Sequence, residues 1–369
     1  MAERYRFGIE EEFFLADAAT RGTPVGKLKT FHRAAKTRLP VAERELLQIQ
    51  VETASAPTDD MAEARGALAG FRAGLGAVAR DHGLLLFAAG THPAARWARQ
   101  RRTDKERYAA IMREAQMVEA RNMVCGMHVH VEVPDPAARV DLMNRFLPFT
   151  PLLLALSASS PFWQGRDTGL AAYRLAVWGE LPRTGLPDLF TDAGDFDRYV
   201  TTLVRAGTIP DASFLWWTLR PSIHYPTLEL RVADSCTRLA DVMTVAALYR
   251  CFVRLLVRRP ELHLGLTGAS RGVAAENMWR VQRYGVKATL IEEGRDEAVT
   301  FAERLDAVLE QVAEDADTLG CTAEVQGVRR ILAEGTSSDR QVAAFAAAAG
   351  GPGAAVAAVV DWLAEETAH

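Results

Sequence analysis

The chain has 369 residues, 49% of them hydrophobic and 24% charged, with a formal net charge of -4 at pH 7. That length allows one large core or two domains, and the ordinary globular proportions exclude disorder as the organising state. The small negative charge and dispersed arginines argue against nucleic acid as a partner.

Taken in chain order, GIEEEFFL from Gly8 to Leu15 reads as a first strand. Alternation puts Glu10 and Glu12 on one face and Glu11 on the other. Asp17 to Pro40 reads as a polar, basic connection punctuated by Gly and Pro. A second strand follows around Leu46 to Ala54, overlapping QIQVETASAPT (Gln48 to Thr58), with Glu52 on the face opposite Ile49 and Val51; Pro57 closes it. Met61, Leu68, Phe71, Leu75 and Val78 then form the stripe of a helix that starts at Thr58 and ends at Gly83, and Leu84 to Ala89 is a buried strand. The basic run ARWARQRRTDKER, Ala95 to Arg107, is a solvated approach to a further helix. Thr103 and Glu106 form a capping box for that helix, and Tyr108, Ile111, Met112, Ala115 and Val118 form its stripe.

GMHVHVEV, Gly126 to Val133, is the next strand, with His128 and His130 on one face and Met127, Val129 and Val131 on the other. A helix follows through Val140, Met143 and Phe146, then an apolar stretch, Pro151 to Ala158, that needs no strand. Ser159 to Asp195 is long, irregular and rich in Gly, Pro, Arg and aromatics, which suits a substrate-side loop or lid. Phe196 to Ala206 is a short helix stopped by Gly207. Strands near Phe214 to Leu219 and Thr227 to Ala233 follow, and TLELRVADS puts Glu229 and Arg231 on one face. From Leu239 onward the pattern is helical. Val242 to Leu256 precede Pro260, Val299 to Leu319 precede Gly320, and an Ala-rich end is broken by Gly335 and by the GGPG at Gly350 to Gly353.

Cys125, Cys236, Cys251 and Cys321 are far apart without CxxC spacing, as expected for reduced, buried thiols. No segment has signal-peptide character or approaches the roughly 20 apolar residues of a membrane span, so a soluble, cytoplasmic protein is expected. No GxGxxG follows the first strand and no Walker loop occurs. Any phosphate must therefore be held by metal ions and arginines.

Glu10, Glu12, Glu52, His128 and Glu229 are the candidate metal ligands, if their strands adjoin in one sheet. Each has a plainer alternative: a solvated edge strand for Glu10 and Glu12, a solvent-facing Glu52, imidazoles that bond to their neighbours, and a structural Glu229–Arg231 ion pair. A set dominated by carboxylates with one or two histidines favours Mg²⁺, with Mn²⁺ as the alternative, over structural zinc.

Together, GIEEE, GMHVHV, SPFWQGRDTG, RPS followed by TLELRVAD, and AENMWRVQRYGV resemble the YbdK-like carboxylate-amine ligases of the type 2 glutamate-cysteine ligase family, from about Phe7 to Val286. The resemblance implies an α+β, glutamine synthetase-like catalytic domain, with a curved antiparallel-rich sheet and flanking helices. It spans 1–369 as one unit, with 287–369 a helical extension packed on it. It also implies an ATP- and Mg²⁺-dependent, ADP-forming ligase in which ATP phosphorylates a carboxylate and an amine displaces phosphate, γ-glutamyl transfer to a small amine being one candidate. Carried over by motif, Glu10, Glu12, Glu52, His128 and Glu229 match metal ligands, and Arg231 matches the phosphate-binding arginine, with Arg231 and Glu52 as catalytic residues. Arg166, Arg174, Arg220, Asn277, Arg280 and Arg283 are expected near nucleotide or substrate.

Glu132, Thr218 and Met278 depart from the family's usual residues and leave the substrates open. The expected partners are small-molecule carboxylates and amines, with no nucleic acid or membrane, in a homodimer. The rival readings are a zinc hydrolase using His128 and His130, and a nucleotide-binding homologue without turnover.

Overall fold

The structure is a computed structural model that describes residues 4–104 and 116–369. The predicted capping box at Glu106 and the stripe from Tyr108 to Ala115 lie outside the described residues.

Seven strands form the main sheet: β1 (Phe7–Asp17), β2 (Glu43–Arg44), β3 (Gln50–Ala54), β4 (Leu84–Phe87), β5 (Met127–Glu132), β10 (Leu219–Pro221) and β11 (Thr227–Leu230). Their order is β10-β11-β5-β1-β3-β2, with β4 pairing the far end of β1. Every pairing in this sheet is antiparallel. The intervening short strands are β6 (Phe162–Trp163), β7 (Arg166–Asp167), β8 (Thr184–Gly185) and β9 (Trp216–Trp217).

The register follows from the patterning. Phe7, Ile9, Met127, Val129, Val131, Leu228 and Leu230 are all buried on one side of the three central strands. A one-residue slip would turn this whole set to the other face, so the register is strongly specified. The first eight helices come in chain order as α1 (Leu28–Arg38), α2 (Met61–Asp81), α3 (Met117–Ala120), α4 (Pro136–Arg145), α5 (Thr150–Ser157), α6 (Arg174–Trp178), α7 (Ala193–Arg205) and α8 (Leu239–Arg258). Among these, α2 packs on β1 and β4, α4 on β10 and β11, and α8 on β5.

α8 is buried from Leu239 to Leu256 on almost every side, because α2, α4 and α5 surround it together with two later helices. A helix apolar all round belongs in a core. Those two helices come from the C-terminal part, where α9 (Gly268–Tyr284), α10 (Phe301–Thr318), α11 (Thr322–Glu334), α12 (Ser337–Ala347) and α13 (Pro352–Thr367) follow one another. α10 and α11 pack on α8, and α13 lies along β4. The last contact shields an edge strand that would otherwise present unpaired backbone groups.

Two expectations change. Asp17 to Pro40 is not simply a connection, because residues 28–38 form α1. Its stripe of Leu28, Phe31, His32 and Ala35 is buried, and the interleaved Lys and Arg residues hide that spacing in the sequence. Ser159 to Asp195 is likewise more ordered than an irregular loop. A β6–β7 hairpin turns at Gly165, α6 follows, and β8 pairs in parallel with β9.

The four cysteines are buried and free, as expected. No described helix is long and apolar enough to cross a membrane.

Candidate active site

The polar face of the sheet collects the acids. Glu10 stands opposite His128 across β1 and β5, Glu12 opposite Glu52 across β1 and β3, Glu229 opposite His130 across β11 and β5, and Arg220 opposite Glu229 across β10 and β11. Directly opposed residues in an antiparallel pair have Cβ atoms about 5 Å apart, so the register alone brings these side chains together. They line a cavity of about 300 Å³ that also takes Arg174 and Arg231.

Glu11 shows the other side of the alternation. It points into the core, where its carboxylate lies 2.6 Å from Arg72 Nη2, with both side chains almost wholly buried. Arg72 completes its donors on the carbonyls of Cys236 and Thr237. A buried charge needs such a set of partners.

His128 Nδ1 lies 3.1 Å from Glu10 Oε2, and its Nε2 lies 3.9 Å from Glu12 Oε1. His130 approaches the other oxygen of Glu10 at 3.4 Å and bonds Thr227 Oγ1 through Nδ1 at 2.9 Å. Glu229 accepts from Arg220 Nε at 2.8 Å and from Arg231 Nη1. Glu12 accepts the Gly126 N–H at 2.7 Å. Gly126 leaves room for the Arg174 guanidinium, which a Cβ there would displace.

The electrostatics divide these acids into two groups. Burial opposes ionisation of Glu10, but hydrogen bonds from His128 and His130 outweigh it and hold the carboxyl below its usual range. For Glu229, Arg231 and Arg220 likewise outweigh burial and hold it low. Glu12 goes the other way: burial, reinforced by Glu45, pushes it up to about 8. Glu52 is raised well above its ordinary value by burial and by Glu45, Glu10 and Glu12. Burial, then the charge of Arg231, lowers His128 to about 4, so it is neutral and able to ligate.

Two overlapping sets could hold a cation among the described residues, Glu10–His128–Glu229 and Glu12–Glu52–His128, each with one ligand atom per residue within 4.8 Å of the others. Carboxylate oxygens with a single imidazole fit Mg²⁺ or Mn²⁺. Unpaired donors lie beside them: Arg174 Nε and Arg231 Nε are buried with no hydrogen-bond partner.

All five expected metal ligands thus share one pocket with Arg174, Arg220 and Arg231. The remaining expected residues are engaged elsewhere. Arg166 is exposed on β7. Asn277 clamps the backbone of Ile291 through both ends of its amide, Arg280 bonds Thr289, and Arg283 donates to the Gly169 carbonyl. None of these four lines the pocket. Glu132 pairs with Arg6 at 3.1 Å, while Thr218 and Met278 line a neighbouring cavity of about 280 Å³ that shares Trp178.

The pocket also contains residues that sequence reasoning did not single out, notably Glu45, Glu119, Asn122, Trp178 and Tyr225. Glu45 lies between β2 and β3, outside any alternating run. Glu119 adjoins the helical stripe ending at Val118, where an acid reads as solvated.

Comparison with known proteins identifies the family. The family described as Glutamate-cysteine ligase family 2 matches residues 6–358. A Bradyrhizobium sp. (strain ORS 278) protein named "Putative glutamate--cysteine ligase 2" is 44% identical over 364 residues, covering 98% of this chain and 88% of that protein. A Rhodospirillum rubrum protein of the same name is 45% identical over 371 residues, covering 98% and 95%. Among solved structures, the Francisella tularensis glutamate–cysteine ligase in complex with AMP superposes with a TM-score of 0.71 at 12% identity, covering 98% of this chain and 88% of that one. A bifunctional glutathione synthetase from Pasteurella multocida gives 0.68 at 14% identity, covering 99% and 53%. At such identities these two structures speak for the fold alone, and it is the α+β fold expected of such a ligase.

Proposed function

Since the chain belongs to glutamate-cysteine ligase family 2, we propose that it is an ATP- and Mg²⁺-dependent carboxylate–amine ligase working through an acyl phosphate. The observation that carries the reading is the pair of ligand sets that share His128 on one sheet face, with Arg174, Arg220 and Arg231 in the same pocket.

Glu10, Glu12, Glu52, His128 and Glu229 would hold the cations. Mg²⁺, when bound, screens the charge of the polyphosphate and polarises its transferring phosphoryl group. The chain's own part is positioning and electrostatics. Arg231 and Arg174 offer guanidinium N–H groups to the phosphate oxygens, in the role expected where charge develops during phosphoryl transfer. Glu229 keeps Arg220 and Arg231 aligned through its two oxygens.

Trp178 and Leu181 extend the wall of the pocket from the segment around α6, which suits exclusion of water from an acyl phosphate. The donor set bears on the zinc-hydrolase alternative: carboxylates dominate it, and His130 directs Nδ1 to Thr227.

Amine-dependent release of ADP and phosphate across a panel of acids and amines tests the proposal. We expect release that needs all three substrates and Mg²⁺. Tightly held stoichiometric zinc with nucleotide-independent hydrolysis would reject it.

A further inference from the structure

We propose that Glu119 is the carboxylate that receives the ammonium group of the amine substrate and takes its proton. This assignment rests on the ligase reading above and extends it to a residue outside the metal- and phosphate-binding set.

Glu119 is 4% exposed, and its Oε2 has no hydrogen-bond partner. Asn122, three residues on, leaves its Oδ1 unpartnered as well. Both side chains line the pocket of the metal-ligand face. A buried carboxylate without a partner is costly, and native proteins rarely leave one. Both orphaned atoms are acceptors, so what the two lack is a donor. An ammonium group brings three donors and a positive charge.

The acceptors sit on fixed backbone. Asn122 N–H donates to the Glu119 carbonyl at 2.9 Å, closing the turn after α3. Between them, Arg121 pairs at 2.9 Å with Glu180. Glu180 belongs to the segment that follows α6, between Trp178 at the helix end and Leu181, both of which line the same pocket. The two acceptors therefore share their pocket with an apolar wall, which is a setting that strengthens an ionic hydrogen bond.

Burial alone pushes the Glu119 carboxyl up to about 7, which suits a group that accepts a proton near neutrality. The step balances. One proton passes from the ammonium to Glu119 and then to solvent, freeing the nitrogen lone pair. The C–N bond forms as the C–O bond to phosphate breaks, and the nitrogen's second proton leaves with the phosphate.

An ammonium could also belong to an amino-acid substrate that supplies the carboxylate, so the test separates the two sources. Steady-state phosphate release is measured for the full chain and for E119Q, with the most active alkylamine of the panel and with hydroxylamine, which is mostly uncharged at neutral pH. We expect E119Q to raise KM for the alkylamine at least tenfold and to lower kcat. KM for ATP and for the acid should stay unchanged, and the loss should be several-fold smaller with hydroxylamine. N122A should raise the alkylamine KM less, and it serves as the second variant if E119Q does not fold. Equal losses with the two nucleophiles, or a rise confined to the acid's KM, would overturn the assignment. A wild-type chain that turns over no amine defeats the ligase reading itself, whereas active wild type with E119Q unchanged defeats this assignment alone.

Discussion

Glu12 and Glu52 face one another across β1 and β3, two carboxylates in direct opposition on the same side of the sheet. Like charges so placed destabilise a strand pair, and this pair is further pressed by Glu45 and Glu10. Such an arrangement makes physical sense where a cation sits between the oxygens, and His128 completes a ligand set there.

Glu52→Gln is therefore expected to act in opposite directions on activity and on stability. Without divalent metal, the variant should melt a few degrees above the wild type near neutral pH, since it replaces a buried acid that must take up a proton on folding. Its ligase turnover should fall on the order of 10³-fold, as for loss of a group that stabilises the transition state. Thermal melts with and without Mg²⁺, run beside the turnover assay, check both halves; Mg²⁺ should raise the melting temperature of the wild type more than that of the variant.

The same acids set a pH dependence. Burial pushes Glu12 up to about 8 and Glu119 up to about 7 in the folded protein, above the ordinary 4.5 of the unfolded chain. Between those values the folded state binds more protons than the unfolded one, so stability falls as pH rises. His128, lowered to about 4, opposes this trend below pH 6.5, so in chelator the melting temperature should decline chiefly from about pH 6.5 to about pH 8. Stabilisation by Mg²⁺ should grow over the same window, because the ligands must shed protons to bind. A flat chelator profile would count against the buried acids as drawn.

Glu11 and Arg72 are fully buried partners on the reverse of the sheet, without access to the pocket. Glu11→Ala leaves an unpaired guanidinium in the core and should cost about 3–5 kcal/mol. Denaturant unfolding gives the number. Replacing both residues by apolar ones of similar size should recover much of the loss.

Gly126→Ala tests the position of Arg174. The added methyl collides with the guanidinium, so the side chain must move. A displacement of about 1 Å at a positioning group can cost about 10²-fold in rate. We expect a loss of that order in kcat/KM. Unchanged kcat/KM in a folded variant would remove Arg174 from the reaction.

How much of this was legible in the sequence depended on period. The strands carrying His128 and Glu229 alternate cleanly with apolar residues on the reverse face, and Ile9 and Phe13 flank Glu10 and Glu12 in the same way, Glu11 excepted, so side-chain direction could be read before any contact was known. The antiparallel partners could not, because register is set by long-range packing, and only the fold shows Glu52 against Glu12. α1 stayed hidden since four buried residues are diluted by lysines and arginines. Asn277 and Arg280 illustrate the limit of a motif: both bond backbone or hydroxyl groups between residues 289 and 291. Glu45 reaches the pocket from a segment without periodicity and Glu119 from just beyond a helical stripe, where nothing local distinguishes a site acid from a solvated one.

The central claim is that the acids of one sheet face bind divalent cations. Anomalous diffraction from crystals soaked in Mn²⁺ with a non-hydrolysable ATP analogue tests it most directly. Two peaks are predicted, one among Glu10, His128 and Glu229 and one among Glu12, Glu52 and His128. Absence of manganese from this face, or its appearance only at other surfaces, would contradict the account.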